Sequence, residues 1–505
     1  MGIQFFHAWL NKYHIKHYTK TIITKCDYLC IDFNTIIHQR ISNYCIEKNQ
    51  NLNNLKNYNE LFDYIFNYVD ELIILTKPTK KIFIAIDGVA PLAKMQQQRT
   101  RRIKHSIIKD NTEPLYNPNN ISPGTIFMIQ FRNYIINKAL EYNNIIVSND
   151  LETSEGEQKI FNFIKSKTNN NDNIYIYGLD SDLILLSYIV NKKITLIFNK
   201  KNNNIIKDLE YFNIISFKDD LKINGFDLIL IVSLFGNDFL PNTPFLSIFK
   251  HLNKAIDIYK NYYEYNKTTI CNNGYIDIYY LRQYLYMLSK YEINKINNSN
   301  DINLDTVISD YDNQNDLNEK IQKIIDLNKQ INIYKPPPMV NVSQYTSSKY
   351  PYNHKNHNEF IKKYYNKKFN TDRLNIVIFS YLKILQWNIL YYRDSRPPDW
   401  RYMYKYDYSP FIYTISQYLN INQNINIYTF NKNHPLKSEE QLLYILPKED
   451  IINFMPLKYH DFIIKNENFY KNYKIELYNL FKKDKALILL KNMNINNIIK
   501  YCNNI

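Results

Sequence analysis

The first 260 residues contain five short apolar runs, separated by longer segments whose apolar residues recur with a helical period. The runs are Tyr28–Phe33, Ile82–Ile86, Ile145–Val147, Ile174–Tyr177 and Ile194–Phe198. The helix-like segments include Leu55–Thr76, Pro91–Lys109 and Pro123–Tyr142. Strands that alternate with helices build α/β domains, and continuous apolar runs are typical of strands covered on both faces. We therefore predict an α/β domain with a mainly parallel sheet flanked by helices.

The rest of the chain is divided by its composition. Residues 290–335 are rich in Asn and Asp with little apolar order, and Pro336–Pro338 close this stretch. Such a composition is typical of a linker or an insertion. Residues 340–505 return to a helix-like, strongly aromatic pattern. We predict three parts: an α/β domain at 1–260, a helical or Asn-rich insertion or linker at 261–338, and a mostly helical, aromatic-rich region at 339–505.

Carboxylates recur where the predicted strands end. These acids are Asp32, Asp87, Glu155, Glu157, Asp180, Asp182 and Asp238. The carboxyl ends of parallel strands meet at one edge of a sheet, where ligands bind. Acids that converge there repel one another unless cations lie among them, and oxygen ligands without His or Cys favour Mg²⁺ or Mn²⁺ over zinc. Two such ions can support phosphodiester hydrolysis.

Each acid also has a structural interpretation. Asp182 could cap a helix, Glu155 and Glu157 could favour a helix N-terminus, and Asp32 could be a turn residue. The seven acids together are harder to explain in this way, because they repeat at the same place relative to successive strands.

A basic helix is predicted directly after the strand that ends near Asp87. Lys94, Gln98, Arg101 and Arg102 follow one another at i, i+4, i+7 and i+8, and this spacing places them on one helical face. Clustered Arg and Lys suit a phosphate group. The alternative is a basic face that is simply solvated.

The bulk composition favours a polyanionic partner. Lys and Arg number 63 against 48 Asp and Glu, which gives a formal charge of +15. Such an excess favours nucleic acid, although an AT-rich genome would also raise the Lys content. The five cysteines include no CxxC pair, so neither a disulfide framework nor a structural zinc site is predicted. Without a signal-peptide layout or an apolar run of about 18 residues, we expect a soluble intracellular protein with no membrane contact.

Several segments follow one another in an order that is known from one enzyme family. In the first half they read MGIQFFHAWL, IDFNTIIH, AIDGVAPLAKMQQQRTRR, ISPGTIFM, SEGEQKI, YGLDSDLILL and LFGNDFLP. In the second half they read FIKKYYNKKF, LQWNILYYRDSRPPDWRYMYKYDYSPFI and EQLLYILP. The chain thereby resembles the eukaryotic XRN-type 5′→3′ exoribonucleases over most of its length. AIDGVAPLAKMQQQR is highly specific, whereas GLDSD alone would be weak.

The resemblance implies a PIN-like, flap-nuclease-type sheet and hydrolysis of single-stranded RNA from a 5′-monophosphate end. Nucleoside 5′-monophosphates would be released processively, with two Mg²⁺ or Mn²⁺ ions as cofactors. By motif position, the catalytic and metal-binding acids would be Asp32, Asp87, Glu155, Glu157, Asp180, Asp182 and Asp238. The pocket for the 5′-phosphate would be Lys94, Gln98, Arg101 and Arg102, the residues that helical spacing also places together.

Two further residues acquire a role only from the resemblance. His38 matches a histidine that stacks on the first nucleotide, and Trp400 matches a tryptophan that packs against the 5′ end of the RNA. Without the resemblance, His38 would be interpreted as a helix-surface residue and Trp400 as core. Trp387 is interpreted as core in either case.

The chain also departs from the family pattern. Ser154 stands where the family has Gly, Gln158 where it has His, and Ser181 where it has Ala. Tyr402 stands where a second tryptophan is usual, which puts base stacking there in doubt. None of these changes removes a carboxylate.

The expected protein is a compact, monomeric and cytoplasmic member of the family, of the kind that a large DNA virus or an AT-rich genome would encode. Two alternatives remain open. The first is a structure-specific flap endonuclease, and the second is a catalytically inactive RNA-binding scaffold.

Overall fold

The computed structural model describes residues 2–3, 5–20, 25–107, 116–199, 209–244, 246–298, 357–369, 373–471, 473–477, 486–490 and 493–504. Most of the predicted Asn-rich stretch, from residue 299 to residue 338, lies outside the described residues.

A seven-stranded sheet organises the first half of the chain, in the order β1-β7-β6-β5-β2-β3-β4. Its strands are β1 (Tyr18–Thr19), β2 (Tyr28–Asp32), β3 (Lys81–Ala85), β4 (Ile145–Ser148), β5 (Asn173–Tyr177), β6 (Lys193–Asn199) and β7 (Leu209–Asn213). The pairs β2–β3, β2–β5, β3–β4 and β5–β6 are parallel, whereas β6–β7 and β1–β7 are antiparallel. The predicted mainly parallel sheet is therefore confirmed, with each of the five predicted strands in it.

Helices connect these strands and continue through the second half of the chain. The first eleven are α1 (Phe6–Tyr13), α2 (Phe33–Glu47), α3 (Asn59–Thr76), α4 (Leu92–Ile107), α5 (Ile126–Ala139), α6 (Gly156–Lys167), α7 (Asp182–Ile189), α8 (Ile214–Leu221), α9 (Gly225–Ser233), α10 (Ile248–Asn266) and α11 (Ile278–Asn298). A short hairpin, β8 (Cys271–Asn272) and β9 (Tyr275–Ile276), separates α10 from α11. The predicted boundary at residue 260 falls inside α10.

The C-terminal region is mostly helical, as predicted. Its helices are α12 (His357–Phe369), α13 (Leu374–Asp394), α14 (Ile412–Ile421), α15 (Ser438–Ile445), α16 (Lys448–Phe454), α17 (His460–Lys465), α18 (Glu467–Lys471) and α19 (Ile495–Asn503). One antiparallel pair, β10 (Tyr473–Leu477) with β11 (Ala486–Leu490), accompanies them. Among the described residues, every helix is too short or too polar to cross a bilayer.

Side chains of the central strands alternate between two apolar clusters, one on each face of the sheet. On β2, Cys30 belongs to one cluster, whereas Leu29 and Ile31 belong to the other. Successive strand residues point to opposite faces, so apolar residues at every position bury both faces at once. This is why the strands appear in the sequence as continuous apolar runs.

The larger cluster joins the sheet to the C-terminal helices. It contains Ile3 and Phe6 near the start of the chain, Ile176 on β5, and Trp387 and Tyr391 on α13. Trp387 is fully buried, as predicted, and its indole Nε1 donates a 2.9 Å hydrogen bond to the carbonyl of Asp399. The sheet and the aromatic second half therefore share one core.

Candidate active site

The predicted acids meet where the strand order of the sheet reverses. From β2 the chain first builds outward to β3 and β4, and it then returns to place β5 on the other side of β2. Asp32 ends β2, Asp87 follows β3, and Asp180 follows β5. A crevice at the carboxyl ends of two strands with diverging connections is the usual ligand site of an open α/β sheet.

A single cavity of about 580 Å³ opens at this edge of the sheet. Ten of the predicted site residues line it: Asp32, His38, Asp87, Lys94, Gln98, Arg101, Arg102, Glu155, Glu157 and Asp180. Acids and the basic helix face thus line the same cavity. Asp182, Asp238 and Trp400 lie outside its described lining.

Burial and mutual repulsion hold several of the acids toward their protonated forms. Burial, followed by the charges of Asp87 and Asp180, raises the pKa of Asp32 well above its usual value. The pKa of Glu157 is raised in the same way, by burial and by the charge of Glu155. The pKa of Asp182 is raised by burial and by the charge of Asp180. Buried carboxylates this close together cannot all remain ionised unless positive charge is placed among them.

Helix capping does not account for the two acids that stand at helix starts. Asp32 is the N-cap residue of α2 and Glu155 is the N-cap residue of α6, yet neither side chain makes a capping hydrogen bond. The first peptide N–H of α6, from Gly156, instead donates to Asp87 Oδ1 at 2.6 Å. A Cβ on Gly156 would lie 2.9 Å from Asp32 Oδ1, so the backbone of α6 fits tightly between two acids.

Lys94 lies on the acid side of the cavity. Its ammonium contacts the carboxylate of Glu155 and donates a 2.7 Å hydrogen bond to Asp238 Oδ2. Burial alone would lower the pKa of Lys94, but the charges of Asp238 and Glu155 raise it well above its usual value. Lys94 is therefore a fixed cation that ties the Asp238 loop to the start of α6.

The other three residues of the basic face lie further along α4. Arg102 donates from Nη1 to Asn119 Oδ1 at 3.0 Å and to Ser122 Oγ at 2.8 Å. Burial, together with Arg101, lowers the pKa of Arg102 to about 9, which leaves it charged at neutral pH. Within the described part of the chain, Arg102 Nε and Gln98 Oε1 are buried without a hydrogen-bond partner. Polar atoms of this kind are costly to bury unless a ligand satisfies them.

His38 and Trp400 are placed differently. His38 lines the cavity beside the basic face, where burial and the charges of Arg101 and Arg102 lower its pKa to about 3. It is therefore a neutral, flat ring at physiological pH. Trp400 is only 6% exposed, and its carbonyl accepts the N–H of Leu92 at the start of α4.

Sequence reasoning missed three contributors to this site. Tyr391 on α13 donates a 2.8 Å hydrogen bond to Glu155 Oε2. Gly2 has a φ of +67°, and a Cβ there would collide with the carboxylate of Asp180. Gln39 lines the cavity with both amide atoms buried and unpartnered among the described residues. In the sequence, the only indication of a role for Gln39 is that it directly follows His38.

The donor set fits a hard divalent ion. All seven acids offer only oxygen, and Asp182 Oδ1 is buried with no hydrogen-bond partner among the described residues. Within those residues, no three of the acids bring their ligand oxygens within 4.8 Å of one another. Because like charges repel, these oxygens would have to draw together around a bound cation.

Comparison with known proteins assigns the chain to a family. The model described as the XRN 5′-3′ exonuclease N-terminus matches residues 1–201, and the model described as the Xrn1 helical domain matches residues 354–474. The chain belongs to the XRN family. The two matched regions contain every predicted site residue except Asp238.

Curated XRN relatives match about half of the chain. 5′-3′ exoribonuclease 1 of Saccharomyces cerevisiae is 32% identical over 336 residues, which cover 54% of this chain and 21% of that protein. The human exoribonuclease 1 is 30% identical and is covered to 18% of its length. 5′-3′ exoribonuclease 2 of Arabidopsis thaliana is 27% identical and is covered to 35%. The chain therefore matches about a fifth to a third of the length of these relatives.

Two solved nucleases overlap part of this chain. The catalytic core of Rad2 in complex with DNA substrate overlaps 48% of this chain and 66% of that chain, with a TM-score of 0.30 and 14% identity. Flap endonuclease-1 from Methanococcus jannaschii overlaps 53% of this chain and 81% of its own, with a TM-score of 0.30 and 16% identity.

Proposed function

We propose that this protein is a 5′→3′ exoribonuclease that degrades single-stranded RNA with a 5′-monophosphate end and releases nucleoside 5′-monophosphates processively. One observation carries the proposal: a single cavity of about 580 Å³ is lined by five of the acids and by the polar face of α4. A terminal phosphate at the basic end would place the first internal phosphodiester toward the acids. Membership of the XRN family supports the same activity.

The basic end of the cavity is suited to a terminal phosphate. Asn119 and Ser122 fix the Arg102 guanidinium, which leaves its buried Nε–H available for an anion. Arg101 adds a second positive charge and Gln98 adds a buried amide. A 5′-hydroxyl would leave these groups unsatisfied, and a cap would have to displace them. We therefore propose selection for one phosphate.

The acidic end of the cavity is suited to divalent ions, which we propose to be two Mg²⁺ or Mn²⁺ ions held by the seven acids. Such ions polarise the phosphodiester and lower the pKa of bound water. The chain's own residues prepare this site. Lys94 fixes Glu155 and Asp238, and Gly156 fixes Asp87 through its N–H. The raised pKa values of Asp32 and Glu157 reflect burial first and then the repulsion of neighbouring acids, which bound cations would relieve.

The remaining predicted residues would grip the leading nucleotides. His38, neutral and facing the cavity, is suited to stack on the first base, and such stacking contributes about 1–3 kcal/mol per base. Trp400 is proposed to support the 5′ end of the RNA. Because its indole is largely buried, it would do so by packing behind the start of α4.

The test uses one RNA with three different 5′ ends. The purified protein and Mg²⁺ are given the same single-stranded RNA bearing a 5′-monophosphate, a 5′-hydroxyl or a cap. Only the 5′-monophosphate RNA should decay rapidly, and the product should be mononucleotides. Release of oligonucleotides would instead favour a flap endonuclease, and equal decay of all three RNAs would refute the phosphate pocket.

Two variants separate the parts of the proposal. Asp180→Ala should abolish Mg²⁺-dependent decay, whereas Arg101→Ala should weaken the preference for the 5′-monophosphate while leaving slow decay of the 5′-hydroxyl RNA unchanged. If decay persisted in Asp180→Ala, the metal assignment would be wrong. Of these two variants, only Asp180→Ala should lose all decay activity while it binds RNA as well as the wild type.

A further inference from the structure

A second group of possible metal ligands lies outside the cavity, where the N-terminal segment meets α8. His14 follows α1, His17 ends the 3₁₀ turn Ile15–His17, and Asp220 lies in the last turn of α8. Both histidines are buried, with 9% of His14 and 4% of His17 exposed. Their ring nitrogens and an oxygen of Asp220 all lie within 4.8 Å of one another.

The spacing of these atoms matches a tetrahedral metal site. His14 Nδ1 and His17 Nε2 each lie 3.2 Å from the same oxygen, Asp220 Oδ2. Hydrogen bonds between an imidazolium and a carboxylate are usually about 2.7–2.9 Å long. Two ligands bound to Zn²⁺ at about 2.0–2.1 Å in tetrahedral geometry lie about 3.3 Å apart. The observed distances are closer to the second value than to the first.

The surroundings orient two of the three side chains. His17 Nδ1 lies 2.7 Å from Ser216 Oγ, an interaction that turns Nε2 toward Asp220. Lys16 donates to the other carboxylate oxygen, Asp220 Oδ1, at 2.5 Å and leaves Oδ2 facing the two histidines. Hydrogen bonds of this kind to the outer atoms of metal ligands are the usual companions of a metal site.

We propose that His14, His17 and Asp220 bind a single divalent transition-metal ion, for which Zn²⁺ is the best match, with water as the fourth ligand. Two imidazoles and one carboxylate favour zinc over the hard ions that suit the oxygen-only cavity. The ion would tie the segment after α1 to α8. Since Gly2 lies against Asp180 and Asp182 at the other end of the N-terminal segment, the ion would also restrain that segment beside the acids.

The experiment measures zinc binding directly, without activity as a readout. The full-length protein is stripped with a chelator, placed in excess Mg²⁺ to occupy the acidic cavity, and titrated with Zn²⁺ by calorimetry. One ion should bind per chain, and the thermal midpoint should rise with added Zn²⁺. Co²⁺ in place of Zn²⁺ should give the visible absorption of a four-coordinate site, which an octahedral oxygen site lacks.

Variants link the bound ion to the three residues. His17→Ala and Asp220→Asn should each weaken Zn²⁺ binding by at least about a hundredfold. His434→Ala, which removes an exposed histidine elsewhere, and Lys16→Ala, which removes only the outer ion pair, should both retain one bound ion. Circular dichroism checks that each variant is folded.

Two results would overturn the proposal. The first is that the wild type binds no Zn²⁺ under these conditions, which would make the cluster an ion pair only. The second is that folded Asp220→Asn binds Zn²⁺ as tightly as the wild type, which would place the ion elsewhere. Neither result depends on whether the protein degrades RNA.

Discussion

Replacing Tyr391 by Phe perturbs Glu155 without changing any acid. The Tyr391 hydroxyl is buried and donates a 2.8 Å hydrogen bond to Glu155 Oε2. A hydrogen bond to a charged group contributes about 1.5–3 kcal/mol, and one pKa unit corresponds to about 1.4 kcal/mol. Burial already raises the pKa of Glu155, and Lys94 lowers it in opposition. Loss of the hydroxyl should raise this pKa further, because the donated hydrogen bond stabilises the carboxylate.

The consequence should appear on the acidic limb of the pH–rate profile. Glu155 can bind a cation only as a carboxylate, and a higher pKa protonates it at a higher pH. The limb should therefore move upward by about one unit, and the Mg²⁺ concentration for half-maximal activity at a fixed pH on that limb should rise about tenfold. The assay is kcat/KM for 5′-monophosphorylated RNA, measured from about pH 5.5 to 9 at several Mg²⁺ concentrations.

Tyr381→Phe is the matched control. Tyr381 lies on the same helix, is fully buried, and has a hydroxyl with no hydrogen-bond partner among the described residues. Its replacement should leave both the acidic limb and the Mg²⁺ requirement unchanged. The reasoning is refuted if Tyr391→Phe is as stable as the wild type and its acidic limb does not move.

Three further substitutions test other features of the structure. Gly2→Ala should reduce kcat strongly, since Gly2 has a φ of +67° and the new Cβ collides with Asp180. Gly274→Ala is the control, because Gly274 also has a positive φ but a Cβ there meets only the flexible side chain of Arg393, so this variant should lose stability and retain full kcat. Ser154→Gly should raise the free energy of unfolding by about 1 kcal/mol, because Ser154 has a φ of +101°. Burial raises the pKa of Glu292 to about 7, so the wild type should lose about 2–3 kcal/mol of stability as the pH rises. Glu292→Gln has no proton to release at this position and should not show this loss.

The sign of the Glu292 effect follows from proton binding. The folded state holds this proton up to a pKa of about 7, whereas an unfolded glutamate releases it near its usual pKa of about 4.5. The wild type should therefore lose stability between these two values, and Glu292→Gln should lose less. Denaturant unfolding at pH 5 and pH 8 measures the difference, and equal losses in both proteins would contradict it. For Ser154→Gly, an unchanged or lower unfolding free energy would show that the backbone there is unstrained.

Local patterns predicted the strands and the basic face of α4. The run Ile174–Tyr177 is strand β5 in the structure, with Asn173 added at its start. The run was recognisable because all four of its residues are buried and none is charged or an amide. The spacing of Lys94, Gln98 and Arg101 required only helical geometry to place them on one cavity wall. Strand β1, Tyr18–Thr19, was missed because two residues leave no periodic signal.

Long-range packing produced what the sequence could not predict. Tyr391 and Glu155 are 236 positions apart, and no local pattern connects them. Lys94 is buried, and its ammonium therefore turns to Glu155 and Asp238 rather than to solvent. The expectation of no structural zinc site rested on cysteine spacing alone. The proposed site instead uses His14, His17 and an aspartate 203 residues after His17, which no local pattern connects.

The shared core has a consequence for how this chain can vary. Because Trp387 and Tyr391 pack in the same cluster as Ile3 and Ile176, the two halves should melt in one cooperative transition rather than as independent modules. A fragment that ends after the sheet would expose that apolar surface and leave Glu155 without its phenolic donor. Substitutions in the aromatic half should therefore be inherited together with compensating changes around the acids.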